Sequence, residues 1–298
     1  MNIAAVIVTY NRLELLKQSI ICLKQQTRKL DKIYVINNAS TDGTDKYLNT
    51  LSEEVEVVNL PKNLGGAGGF QYGIRMACEK QADYVWIMDD DTLAEPDALE
   101  NLLHGIETLG DRSWGVVACN VLFKDNTACL MNIPEIGTEW NELLDKGIVR
   151  INCSSFVGML VKSEAVKKVG LPIREFFIWG DDVEYSKRII NQFGGYMIGD
   201  SIVKHYMAEN QGTDILIADK KRIARYFYAY RNHFYMAKKR GFLSSVAYLI
   251  NCFITMVKIL LHSHYKARKC WIIIKGCLAG LFFNPKIEFV EDEKYGNV

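Results

Sequence analysis

The stretch "WIMDDDT" runs from Trp86 to Thr92: three apolar residues, three aspartates and a hydroxyl. With Tyr84 and Val85 before it, the apolar run has the composition of a buried strand. Neighbouring carboxylates repel one another, so a strand that delivers three of them to the end of a core implies a cation from outside the chain. Alternate side chains of an extended segment share a face, which sends Asp89 and Asp91 one way and Asp90 the other. Two converging carboxylates form a hard oxygen site suited to Mn²⁺ or Mg²⁺. The plainer reading is a turn in which one aspartate caps a helix starting near "EPDALENLL", with Pro96 at its beginning. Capping uses one aspartate of the three.

Working outward, short apolar runs alternate with helix-spaced segments. Strands are predicted over 3–8, 32–36, 56–59 and 84–88, and helices over 13–26, 44–51 and 69–80. Such alternation predicts an α/β fold: parallel strands with helices on both faces, and a ligand crevice at the carboxyl ends of the strands. Each of those ends is polar or glycine-rich: Thr9, Tyr10, Asn11 and Arg12; Asn37 to Asp42; "LPKNLGGAGGF"; then "DDDT". Past residue 150, "SSFVGMLVKSEAVKKVG" reads as a strand and short helix. "EFFIWGDDVEYSKRIINQFG" reads as a loop feeding a helix, and "GYMIGDSIVKHYM" as a strand ending at His205. From Tyr206 the chain turns helical, basic and aromatic, which predicts a catalytic domain over 1–205 and a helical region over 206–298.

Composition bounds the rest. A chain of 298 residues, 49% hydrophobic and 24% charged, holds one large domain with an appendage, or two domains. A net charge of +1 excludes a globally basic nucleic-acid binder. The eight cysteines form no CxxC pair and no zinc spacing, so they read as reduced core residues. "MNIAAVIVTYNR" lacks a basic leader and reads as a first strand rather than a signal peptide, which puts the chemistry in the cytoplasm.

Other residues carry chemistry with plainer alternatives beside them. His205 at a strand end is either a buried polar residue or a borderline ligand compatible with Mn²⁺. Asp181 and Asp182 in "WGDD" either favour a helix N-terminus or include a general base able to deprotonate a hydroxyl. Glu184 and Arg188 stand four apart, as a helical salt bridge. The glycines 65, 66, 68, 69 and 73 suggest a dinucleotide fingerprint, but that belongs after the first strand, which here ends in "TYNR". A glycine-rich segment before a helix still lets a bulky ligand approach the backbone.

"VIVTYNR", "VINNASTDGT", "NLGGAGGFQYG", "WIMDDDT" and "FFIWGDDVEYSKR", in that order, resemble the family 2 inverting glycosyltransferases with the GT-A fold. Within that family they look most like bacterial galactofuranosyl- and rhamnosyltransferases of surface polysaccharide synthesis. The resemblance covers about residues 1–240. It implies that Thr9, Asn11, Arg12 and Asn38 cradle the donor nucleotide, although many relatives carry aspartate where Asn38 stands. Asn63, Gly65 and Gly66 would lie along the donor. Asp89, Asp90 and Asp91 match the DxD-type signature, with Asp89, Asp91 and His205 holding Mn²⁺ or Mg²⁺ against the diphosphate. Asp182 matches the catalytic base, and Asp181 would support it or contact the acceptor. Arg231 in "YRNHF" lies in a recurring segment without an assigned role. UDP-galactofuranose is the favoured donor, dTDP-rhamnose the second, and the acceptor is a glycan or lipid-linked glycan.

The apolar runs over 242–261 and 271–283 are flanked by Lys238, Lys239 and Arg240 and by Lys266, Arg268 and Lys269. Ser244, Ser245, Asn251, Thr255 and Lys258 interrupt the first run, which argues for an interfacial helix rather than a spanning one. Packing against the catalytic domain or a second copy is the alternative. Two other functions compete with sugar transfer. One is nucleotidyltransfer onto a sugar phosphate, which calls for a basic glycine-rich loop that "VIVTYNRLELL" lacks; the other is an inactive nucleotide-sugar-binding protein.

Overall fold

The computed structural model describes residues 1–51 and 53–292. The strands are β1 (Ile3–Thr9), β2 (Lys32–Asn37), β3 (Val55–Asn59), β4 (Tyr84–Asp89), β5 (Thr92–Ala94), β6 (Val116–Phe123), β7 (Glu135–Ile136), β8 (Ile148–Cys153), β9 (Met159–Lys162) and β10 (Gly195–His205). The α-helices are α1 (Leu13–Lys24), α2 (Thr44–Leu48), α3 (Gly65–Glu79), α4 (Ala98–Leu109), α5 (Ser163–Val169), α6 (Asp181–Phe193), α7 (Tyr226–Arg240), α8 (Phe242–His262) and α9 (Lys266–Phe282).

Strands run in the order β3-β2-β1-β4-β9-β6-β10-β8-β7, with β5 paired to β10. The expected parallel pairing holds for β3, β2, β1 and β4. Farther along the sheet is mixed: β9 lies antiparallel between β4 and β6, and β6 and β10 are parallel. The order reverses between β1 and β4, where Val8 pairs with Asp89. A crevice opens at the carboxyl ends of two strands at such a reversal, and here it receives both "TYNR" and "DDDT".

Period-two burial divides the core. Ile3, Ala5, Ile7, Trp86 and Met88 face one layer with α1 and α4, while Ala4, Val6, Val8, Val85 and Ile87 face the other with α3, α5 and α6. The glycine-rich segment differs from its sequence reading. It is not a loop ahead of the helix predicted over 69–80, because the helix starts at Gly65 and contains all five glycines. Close packing outweighs the poor helix propensity of glycine: a Cβ on Gly69 would stand 2.5 Å from Val8, and one on Gly73 2.4 Å from Val6. Those glycines bring α3 down onto β1.

The three C-terminal helices share their own apolar cluster of Tyr226, Ala229, Cys252, Ile259, Ile273 and Cys277, joined by Ile223 just before α7. α8 buries Cys252 and Ile259 and leaves most of its other apolar residues exposed. It is long and apolar enough to cross a membrane by length and composition. All eight cysteines are free thiols.

Candidate active site

Chain geometry brings the acidic residues of the crevice together. β4 ends at Asp89, a turn follows, and β5 folds back as an antiparallel partner of β10 with Thr92 opposite His205. The Tyr206 amide donates to the Asp91 carbonyl at 2.9 Å, fixing the end of β10 against the turn. Asp89, Asp91 and His205 thereby offer ligand atoms that all lie within 4.8 Å of one another. None of these aspartates caps a helix: α4 begins after Asp97, beyond β5.

Asp90 points the other way. Its carboxylate accepts from Thr9 Oγ1 at 2.8 Å and from the Tyr10 amide at 3.2 Å, which ties the end of β1 to the turn after β4. Arg12 donates to Asp91 and lies 3.9 Å from Asp90. The other polar residues at the strand ends form a second net. Asn11 accepts from the Thr41 amide at 2.7 Å, and its own amide donates to Ser40 Oγ at 3.0 Å. The buried Asn38 side chain accepts from the Leu64 amide and donates to the Gly65 carbonyl, both at 2.8 Å. Asn63 Oδ1 accepts from the Gly65 amide at 2.7 Å. Gly65 has φ +75, and a Cβ there would stand 2.0 Å from the Phe177 carbonyl oxygen, so only glycine fits. Gly66, in the first turn of α3, meets nothing closer than 3.9 Å at its Cβ position, which leaves the backbone open to a ligand.

A residue without any motif orients the histidine. Asn132 donates through Nδ2 to Ser155 Oγ at 2.8 Å, which turns its Oδ1 towards His205 Nδ1, 2.8 Å away. Cys129 Sγ also donates to that oxygen at 3.0 Å. His205 therefore presents Nε2 to Asp91, 3.1 Å away, and only a proton or a cation between them makes that approach favourable. A histidine held by its distal N–H is the usual arrangement of a metal ligand. Two carboxylates with one oriented imidazole fit Mn²⁺ or Mg²⁺ in donor chemistry and spacing.

Asp181 and Asp182 open α6 behind Gly180, at the positive end of the helix. Burial pushes Asp182 up to about 6, with the charge of Asp89 adding to the rise and the Val183 amide opposing it. Asp181 is pushed well up, first by burial and then by Asp182 and Asp89. Burial likewise raises Asp89, against the pull of His205 and Arg12. It also raises Asp90 to about 6, opposed by Arg12 and by the Thr9 hydrogen bond. Glu184 and Arg188 form the expected helical pair at 2.9 Å.

The family model described as glycosyl transferase family 2 matches residues 4–162. This chain belongs to glycosyl transferase family 2. The chain is 28% identical over 261 residues to galactofuranosyltransferase GlfT1 of Mycolicibacterium smegmatis, covering 80% of this chain and 84% of that one. GlfT1 of Mycobacterium tuberculosis is 29% identical over 264 residues, with coverage of 80% and 83%. Solved structures share the fold at low identity. The mannosyltransferase PcManGT from Pyrobaculum calidifontis, in complex with GDP-Man and Mn²⁺, superposes with a TM-score of 0.58 at 16% identity, over 94% of this chain and 87% of that one. GalNAc-T7 with UDP, GalNAc and Mn²⁺ gives 0.58 at 15% identity, over 79% of this chain and 50% of that one. The fold is thus the GT-A arrangement with a helical C-terminal region.

The raised carboxyls make a stability prediction. Folded Asp90 and Asp182 keep protons up to about 6, whereas the unfolded chain loses them near 3.8, so between those values the folded state binds more protons and stability falls as pH rises. Burial raises the candidate ligand Asp89 in the same direction, and a divalent cation binds its deprotonated form. The rise in Tm produced by Mn²⁺ should therefore be larger at about pH 7 than at about pH 5. An equal rise at both would contradict the carboxylate site.

Proposed function

We propose that this protein is an inverting glycosyltransferase that moves a hexosyl group from a nucleotide diphosphate to a hydroxyl of a glycan or lipid-linked glycan. Galactofuranose from UDP is the favoured donor sugar and dTDP-rhamnose the second. The observation that carries the reading is the meeting of two carboxylate groups with different tasks in one crevice: Asp89 and Asp91 with His205, and Asp182 with Asp181. The likeness to galactofuranosyltransferases supports the donor choice, and family membership sets nucleotidyltransfer aside.

Asp89, Asp91 and His205 would hold Mn²⁺ or Mg²⁺, which when bound neutralises charge on the donor diphosphate. Thr9, Asn11, Arg12 and Asn38 shape the nucleotide end of the cleft, and Asn63, Gly65 and Gly66 border the donor along α3. Asp90 fixes the end of β1 through Thr9. Asp182 accepts the proton of the attacking acceptor hydroxyl; a carboxyl lifted to about 6 is still largely ionised at neutral pH and is a stronger base than an ordinary aspartate. Attack from the face opposite the diphosphate inverts the anomeric centre in one displacement. No nucleophilic serine or cysteine takes part.

Asp182→Asn should lower kcat by about 10²- to 10⁴-fold while leaving UDP binding intact. Anomeric couplings in the NMR spectrum of the wild-type product should show inversion. Retained turnover in the variant, or a retained configuration, would contradict the mechanism.

The C-terminal helices support a reaction at a membrane surface. Phe242 and Phe253 on α8 and Trp271 and Phe282 on α9 are 81%, 63%, 59% and 88% exposed, too much apolar area for a face that meets only water. No Asp or Glu stands between Asp219 and Glu288, a segment holding fourteen Lys and Arg. Exposed apolar side chains in a segment this basic suit an anionic leaflet better than a second copy, whose equally basic face would repel. The full-length protein should float with vesicles containing anionic lipid and not with neutral ones, and a Phe253→Glu, Leu260→Glu double variant should stay in solution. Concentration-dependent dimers without flotation would support self-association instead.

A further inference from the structure

The loop that carries the aspartates into the crevice is held in an unfavourable backbone conformation. Phe177, Trp179 and Gly180 have φ of 65, 65 and 84, and two of these are bulky non-glycine residues in the left-handed region. Such conformations persist only where the surroundings over-determine them, and they gather at functional sites.

The restraint comes from α7. Asn232 is completely buried, and its Nδ2 lies 2.9, 3.2 and 2.9 Å from the carbonyl oxygens of Phe176, Ile178 and Trp179. One amide group thus gathers three carbonyls of the turn. Its Oδ1 accepts from Arg231 Nε at 3.0 Å and Nη2 at 2.9 Å. Arg231 Nη2 in turn donates to the carbonyls of Glu175 and Phe176, and its guanidinium lies 4.0 Å from the ring centroid of Phe283. From the opposite side, the Ala67 amide of α3 donates to the Phe177 carbonyl at 3.2 Å. Because the Asn38 side chain bonds Leu64 and Gly65 at the start of the same helix, the turn is registered against the donor segment as well as against α7.

We propose that Asn232, braced by Arg231, is a positioning residue for the base. It holds residues 176–180 in the left-handed turn from which α6 starts, and so fixes where the Asp182 carboxylate stands. The proposal rests on the reading of Asp182 as the base. The residue type follows from the chemistry: three carbonyl oxygens need a donor, a carboxylate of the same shape would repel them, and alanine would leave them bare.

Asn232→Asp keeps the shape and removes the N–H donors, Asn232→Ala removes the group, and Arg231→Gln removes the brace while leaving Asn232 in place. Each would be assayed with UDP-galactofuranose and with dTDP-rhamnose, with activity expressed per UDP-binding site counted by calorimetry with Mn²⁺. That count corrects for any misfolded fraction. The expected result is a fall in kcat of about 10- to 100-fold with donor KM within about twofold. Backbone amides of residues 176–182 should also lose protection in hydrogen exchange. If the Asn232 variants do not fold, Arg231→Gln carries the comparison and should lower kcat in the same direction. Wild-type turnover with folded variants inside twofold of it, or unchanged exchange over 176–182, overturns the positioning role alone. Wild-type turnover of neither donor contradicts the sugar-transfer reading, and the positioning proposal falls with it.

Discussion

Gathering carboxylates in one crevice raises their electrostatic energy, and much of the surrounding structure works against that cost. Two unit charges about 5 Å apart repel by roughly 3 kcal/mol at an effective dielectric of about 20. That is a large share of the roughly 5–15 kcal/mol by which a domain is stable. Asp89, Asp90, Asp181 and Asp182 are all raised above the ordinary carboxylate range, with burial as the first cause. Arg12, His205 and the Thr9 hydroxyl each offset part of this. They do so from different elements: the segment after β1, the end of β10 and β1 itself. The reversal of strand order between β1 and β4 is what lets those elements meet, so the sheet topology and the charge cluster require one another.

The same cluster divides into two groups through backbone geometry. Alternation along the chain after β4 separates Asp91 from Asp90, sending one to His205 and the other to Thr9. Asp181 and Asp182 arrive from another direction on the first turn of α6. Groups whose environments differ in this way can hold charge in one place and move a proton in another. The neighbouring helices contribute through contacts the reaction does not use directly: α3 is drawn onto β1 by its glycines, and α7 reaches the turn before α6 through Asn232.

Much of this is legible in the sequence, because its strongest signals are local. Apolar runs ending in polar residues give the first four strands and the edge on which the crevice lies. The run of aspartates and the "WGDD" pair mark the acidic cluster, and period two separates Asp90 from its neighbours. Signals that depend on distant partners are not legible. Gly65, Gly66 and Gly68 read as lying ahead of the helix because the close approach of Gly65 to the Phe177 carbonyl involves a distant loop. The antiparallel insertion of β9 between β4 and β6 has no periodicity to announce it. Asn132 and Asn232 are single amides in unremarkable segments, and only the fold brings one to His205 and the other to three carbonyls of the loop. "YRNHF" marks the second place by its residue types, without saying what Asn232 reaches.

The account turns on whether the carboxylates and His205 hold a divalent cation that carries a nucleotide diphosphate. Calorimetric titration of the protein with UDP, in the presence and absence of Mn²⁺, tests this most directly, with Asp91→Asn alongside. Binding that requires Mn²⁺ in the wild type and loses that dependence in Asp91→Asn is the predicted result. UDP binding of equal affinity with and without the metal, or none in either condition, would contradict the account.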